Sequence, residues 1–204
     1  MFRSEFDDAV LPYLVSDELA YAYIDEAQKM FCRKTEGIED GRSFQLAIVP
    51  ATEWYDLDKK ILKLRKATDA ATGRPVTMVN QERAEQNGIR FDGRTGPLRA
   101  LVLGIEKGAA RAWPMPDTSA TVTLEVFRLP ATVVEHDEFE IDEQHHQPLL
   151  MWVKHRAYGI KDSEVYDKRA SEENLTNFER YCAAARIEQE RARRVVGTVS
   201  YGGL

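Results

Sequence analysis

Histidines, thiols and clustered carboxylates are the side chains most able to do chemistry in this chain, and the first two are scarce. The histidines are His136, His145, His146 and His155, and the cysteines are Cys32 and Cys182. On a helix, adjacent His145 and His146 point about 100° apart, which is poor geometry for sharing one ion. His146 and His155 are nine positions apart and fall about half a turn out of phase. A metal would need carboxylates such as Glu138, Glu140 and Glu143, which are merely close in sequence. The two cysteines lie far apart and away from any histidine, so they form no disulfide framework or metal spacing and fit a reducing compartment. Nucleophile elbow, phosphate loop, dinucleotide fingerprint and zinc-protease signatures are all missing. No catalytic residue, metal or cofactor is expected, and a small hydrolase using His145 or His146 with the neighbouring acids is the weaker alternative.

Charge is more informative. Between positions 135 and 143, Glu135, Asp137, Glu138, Glu140, Asp142 and Glu143 gather six acids without a lysine or arginine. Such a run is either a solvated linker or an acidic contact surface for a basic partner. Arg186, Arg191, Arg193 and Arg194 form the one basic cluster, followed by the branched, glycine-containing stretch with Val195, Val196, Val199 and Tyr201. The arginines either complement a helix C-terminus or belong to a docking tail, in which guanidiniums grip carboxylates or phosphate and the extended arm adds to a partner's sheet edge.

These groups sit in a chain of 204 residues with 28 basic and 34 acidic side chains, net −6 and pI near 5.4. The acidic balance argues against a protein that grips nucleic acid through a basic face. The longest strictly apolar run, Leu149 to Val153, is far short of the roughly 20 residues a membrane helix needs. The opening MFRSEFDDAVLPYLV does not read as a signal peptide.

The elements that must position the charges follow from periodicity. Ser16 to Lys34 predicts an amphipathic helix, with Ser16 as cap and Leu19, Tyr23, Ile24, Ala27, Met30 and Phe31 on one stripe. Thr35 to Arg42, holding Gly37 and Gly41, reads as a connection. From Ser43 to about Pro130 alternation takes over, with six or seven short strands and a helical turn near Glu82 to Asn87, an antiparallel sheet or sandwich. Leu149, Leu150, Val153, Ala157 and Ile160 then make one helical stripe, and Leu175, Phe178, Tyr181, Cys182 and Ala185 another, on a helix able to reach Arg194. An isolated amphipathic helix must bury its stripe against another element. The expected fold is therefore α+β: a discontinuous helical body (1–42 with 131–194), an inserted antiparallel β-module (43–130) and an extended arm (195–204).

Three segments carry a resemblance. Leu14 to Gln28 followed by Phe31-Cys32-Arg33-Lys34-Thr35, the strand Leu124 to Pro130 ending in Arg-x-Pro, and Ile141 to Tyr158 with its His, paired leucines and Arg-Ala-Tyr resemble tailed-phage head-to-tail connector (adaptor) proteins. The resembling helix positions are Tyr23, Ile24, Ala27, His146, Leu149, Leu150, Arg156, Ala157, Tyr158 and Phe178. Pro148 departs from one continuous helix beginning at Asp142, which must kink there or start near Gln147. The resemblance implies a structural virion protein of the neck, assembled in the host cytoplasm. It implies a ring, typically of twelve copies, under the portal, extending the DNA channel and offering a platform to tail or nozzle proteins, with no enzyme activity and no membrane. Another neck or tail ring component, such as a tail tube, nozzle or stopper, is the nearest alternative. DNA would pass an acidic ring without sticking, and ring closure needs two different surfaces on each subunit. The acidic run and the arginine cluster are opposite in sign and are expected to meet between neighbours or on the portal.

Overall fold

The computed structural model describes residues 16–132, 139–161 and 166–193. They form two compact units, one from the described residues up to Glu36 and from Pro130 onward, the other from Gly37–Leu129. The fold class is α+β.

In the first unit, helix α1 (Asp17–Thr35) starts where the sequence places it. The Ser16 hydroxyl accepts the Leu19 amide at 3.2 Å, Asp17 and Glu18 occupy the first turn, and Arg33 and Lys34 the last. A 3₁₀ turn (Glu143–His145) leads into α3 (His146–Tyr158), and α4 (Lys168–Arg193) opens on the Asp167 carboxylate, which accepts the Ala170 amide at 3.0 Å. Pro148 needs no kink: it is the third residue of α3, where its missing N–H would have had no intrahelical partner. The three helices pack on one another. Their core holds Ala20, Tyr23, Ala27, Phe31, Leu149, Trp152, Val153, Ala157, Phe178, Cys182 and Ala185, with the Phe178 ring 5.3 Å from that of Trp152.

The second unit is built on strands β1 (Ile38–Ile48), β2 (Trp54–Asp56), β3 (Ile61–Asp69), β4 (Pro75–Asn80), β5 (Thr95–Gly96), β6 (Ala100–Leu103), β7 (Ala109–Trp113), β8 (Met115–Pro116) and β9 (Ala120–Arg128), with α2 (Gln81–Gln86) after β4. Seven strands form one sheet in the order β1-β9-β3-β4-β6-β7-β2, and β5 pairs with β8. Leu46 and Ile48 at one edge and Tyr55 at the other join Val122, Leu124, Val126 and Leu101 in one core, so the sheet is strongly curled. The Tyr55 hydroxyl accepts the Val49 amide at 3.2 Å and reaches the Val49 and Thr52 carbonyls at 2.9 Å, tying the two edges together. Across the β4–β6–β7 part, Val79, Ala84, Ile89, Ala100 and Val102 form a second cluster, with Phe91 and Trp113 packed on it.

Two expectations are corrected. The sheet is mixed and not purely antiparallel: β4 runs parallel to β6, and β5 to β8. A parallel pair needs a crossover of a dozen or more residues, and α2 with the chain to Ala100 supplies it. The connection expected over Thr35 to Arg42 shrinks to Glu36 and Gly37, because two successive left-handed residues (φ 86° and 92°) turn the chain at once. Gly41 belongs instead to an irregularity within β1, where the Asp40 carboxylate accepts the Arg42 and Ser43 amides at 3.1 and 2.9 Å. Burial of Asp40 opposes ionisation, but these amides and the Arg128 guanidinium at 2.9 Å outweigh it and hold the carboxyl well below its ordinary range.

Candidate assembly surfaces

Where α1 ends, α4 is also ending, and the Glu36 side chain joins the two. Its carboxylate takes the Arg193 guanidinium at 2.7 Å and lies 4.0 Å from Arg186, which also bonds Glu190 at 3.0 Å. Two of the arginines expected to serve docking are thus engaged inside the helical unit, because α4 is long enough to carry them back to the α1 terminus. Arg191 is exposed. Arg194, Val195, Val196, Val199 and Tyr201 lie outside the described residues, as do Glu135, Asp137 and Glu138. Glu140 is described, and its carboxylate accepts the Ala131 amide at 2.6 Å.

The remainder of the acidic run makes a turn ahead of α3. Phe139, Glu140, Asp142 and Glu143 are exposed while Ile141 is buried. The Phe139 ring stands edge-on to His146 at 4.8 Å, and His146 Nε2 donates to the Ile141 carbonyl at 2.7 Å. His145 points inward: its Nδ1 lies 2.7 Å from the Tyr181 hydroxyl and its ring 4.7 Å from that of Phe31. Burial lowers the His145 pKa, with Asp142 and Glu188 partly opposing, so the ring is kept neutral. His155 Nδ1 reaches the Ser171 carbonyl at 3.0 Å, and Ser171 Oγ donates to the His155 carbonyl at 2.8 Å. All three described histidines therefore use a ring nitrogen to hold local structure, and His136 lies outside the described residues. Cys182 is buried, which pushes its thiol up to about 12 and keeps it protonated. Among the described residues no three His, Cys, Asp or Glu side chains gather where a metal could sit.

The positions carrying the family resemblance are mostly packing positions. Tyr23, Ala27, Leu149, Ala157 and Phe178 are buried; Ile24, His146, Leu150 and Tyr158 are half-buried. Arg156 is the exposed one, lying 5.3 Å over the Tyr23 ring and 3.3 Å from Glu26.

The β unit displays a surface that periodicity could not reveal. The Arg111 guanidinium lies between two rings, 3.8 Å from the centroid of Phe91 and 5.3 Å from that of Trp54. Glu53 fixes it from the side, with its carboxylate 2.6 and 3.0 Å from Nη2 and Nε. Trp54 is still 39% exposed and Val49 is 52% exposed, on either side of a loop that keeps Ala51 left-handed (φ 58°). The sequence separation of Glu53, Phe91 and Arg111 hides the arrangement; only the adjacent Glu53-Trp54 pair hints at it. A cavity of about 880 Å³ is lined by Leu57, Ile61, Leu64 and Leu103 together with Lys59 and Lys107.

A packed trio of helices and a curled sheet define the α+β fold class of the chain. The chain belongs to the SU10 adaptor protein family, a family of phage head-to-tail adaptors, which it matches over residues 2–200. It is thus a bacteriophage adaptor, a component of the virion whose role is to contact other head and tail proteins. No curated protein matches the chain. Among the described residues no helix is long and apolar enough to cross a membrane.

Proposed function

We propose that this adaptor forms a ring of twelve copies under the portal that extends the DNA channel and presents a platform to tail or nozzle proteins. The family match across nearly the whole chain carries the reading. In it, the chain up to Glu36 and from Pro130 to 194 acts as a discontinuous helical body, Gly37–Leu129 as an inserted module and 195–204 as an arm. The arm, with Arg191 and Arg194 at its root, reaches the portal or a neighbouring subunit. DNA moves through without sequence-specific binding, repelled by the acidic side chains that face the channel. Closure of such a ring is heterologous: each copy offers two different faces.

The test is electron microscopy of the protein mixed with purified portal. A new ring of density stacked on the portal is expected; portal rings that remain bare at saturating protein would overturn the proposal.

A further inference from the structure

We infer that the Trp54–Arg111–Phe91 surface is a docking site for a second copy of this chain, and that its occupant is the acidic, aromatic turn at Phe139–Glu143. The inference rests on the ring reading and names the pair of faces that would close it.

The first observation is preorganisation. An arginine clamped by Glu53 and stacked between Phe91 and Trp54 has lost its rotamer freedom before any partner arrives. Tryptophan and arginine in such settings are the residue types in which interface energy concentrates. Exposed Val49 and Trp54 offer apolar area beside that guanidinium, and exposed Arg90, next to Phe91, adds positive charge.

Charge complementarity on the same chain names the occupant. Residues 37–129 carry 14 Lys and Arg against 12 Asp and Glu, while the remaining residues carry 14 against 22. Within that acidic remainder, Phe139 is exposed together with Glu140, Asp142 and Glu143, and the buried Ile141 side chain anchors the turn. The ring of Phe139 matches the Trp54 and Phe91 rings in polarity, and the carboxylates of Asp142 and Glu143 match exposed Arg90 in sign, the Arg111 charge being offset by Glu53. The two faces differ, as head-to-tail closure requires.

A charge exchange tests it on the full-length protein, with sedimentation velocity reading self-association at low and high salt. Arg90→Glu, and separately Asp142→Lys with Glu143→Lys, should each weaken association, and mixing the two variants should restore it. Trp54→Ala should weaken it about 30-fold, the loss typical of an interface hot spot. Circular dichroism melts show whether each variant is folded; Trp54→Phe serves if Trp54→Ala is not. Association that persists in the folded single variants, or mixed variants that fail to recover, overturns the assignment. A wild-type protein that stays monomeric both in solution and on portal overturns it together with the ring, whereas portal-bound rings unaffected by the exchange overturn it alone.

Discussion

Acid should unfold the helical unit earlier than its carboxylates alone require, and His145 is the reason. The ring is buried between Phe31 and Tyr181, its Nδ1 2.7 Å from the Tyr181 hydroxyl. Burial pushes its pKa below the ordinary 6.5; Asp142 and Glu188 pull the other way and His146 adds to the depression. Between the depressed folded value and 6.5 the unfolded chain binds more protons than the native one. The contribution of a neutral His145 is therefore complete above about pH 6.5 and fades as pH falls toward the folded pKa. One such group can remove at most about 1.4 kcal/mol for each pH unit crossed. Urea unfolding followed by circular dichroism from pH 8 to pH 5 reads this slope. The comparison is the double variant His145→Phe with Tyr181→Phe, which removes both partners of the hydrogen bond so that neither is left buried and unsatisfied. Its stability should be flatter between pH 6.5 and pH 5 than that of the wild type. Parallel curves would refute the assignment of the slope to His145.

Phe178 is fully buried against Trp152, so Phe178→Ala should cost about 3–5 kcal/mol in chemical denaturation while a Phe178→Leu replacement costs much less. Gly37→Ala should be far more damaging than Gly73→Ala. Both residues have positive φ, but a Cβ on Gly37 would lie 2.6 Å from the Arg128 carbonyl oxygen, whereas one on Gly73 meets nothing within 4 Å. The Gly73 change should cost about 1–2 kcal/mol for the left-handed backbone alone, and equal losses in urea titrations would contradict the steric argument.

Local patterning was legible and long-range electrostatics was not. The Ser16 cap and the stripe through Tyr23, Ala27 and Phe31 locate α1 because both signals lie within the helix itself. The alternation of Val122, Leu124 and Val126 likewise locates β9. Three things escaped. The β4–β6 pair is parallel because of how the chain crosses over, and no strand records that in its own residues. Trp54–Asp56 is only three residues long, too short for a period to show. Glu36 reads as an ordinary helix-end acid until α4 brings Arg193 back across 157 positions to meet it. The same distance blindness concealed Arg111 between its two rings.

The distribution of charge changes what a net −6 can mean for a protein of this family. The β unit is slightly basic, so the whole acidic excess resides in residues 1–36 and 130–204. Phosphate repulsion decays over about 8 Å at physiological salt, and the average charge of a subunit is therefore irrelevant to DNA passing at larger distance. On the ring reading, a lumen that DNA traverses without sticking has to be lined by the acidic unit. A lumen lined by the β unit, with 14 basic against 12 acidic side chains, would lack that repulsion. The same segregation makes the β unit of one copy and the acidic unit of another electrostatically suited to each other. A chain of uniform charge density would lack that preference, and its copies would simply repel.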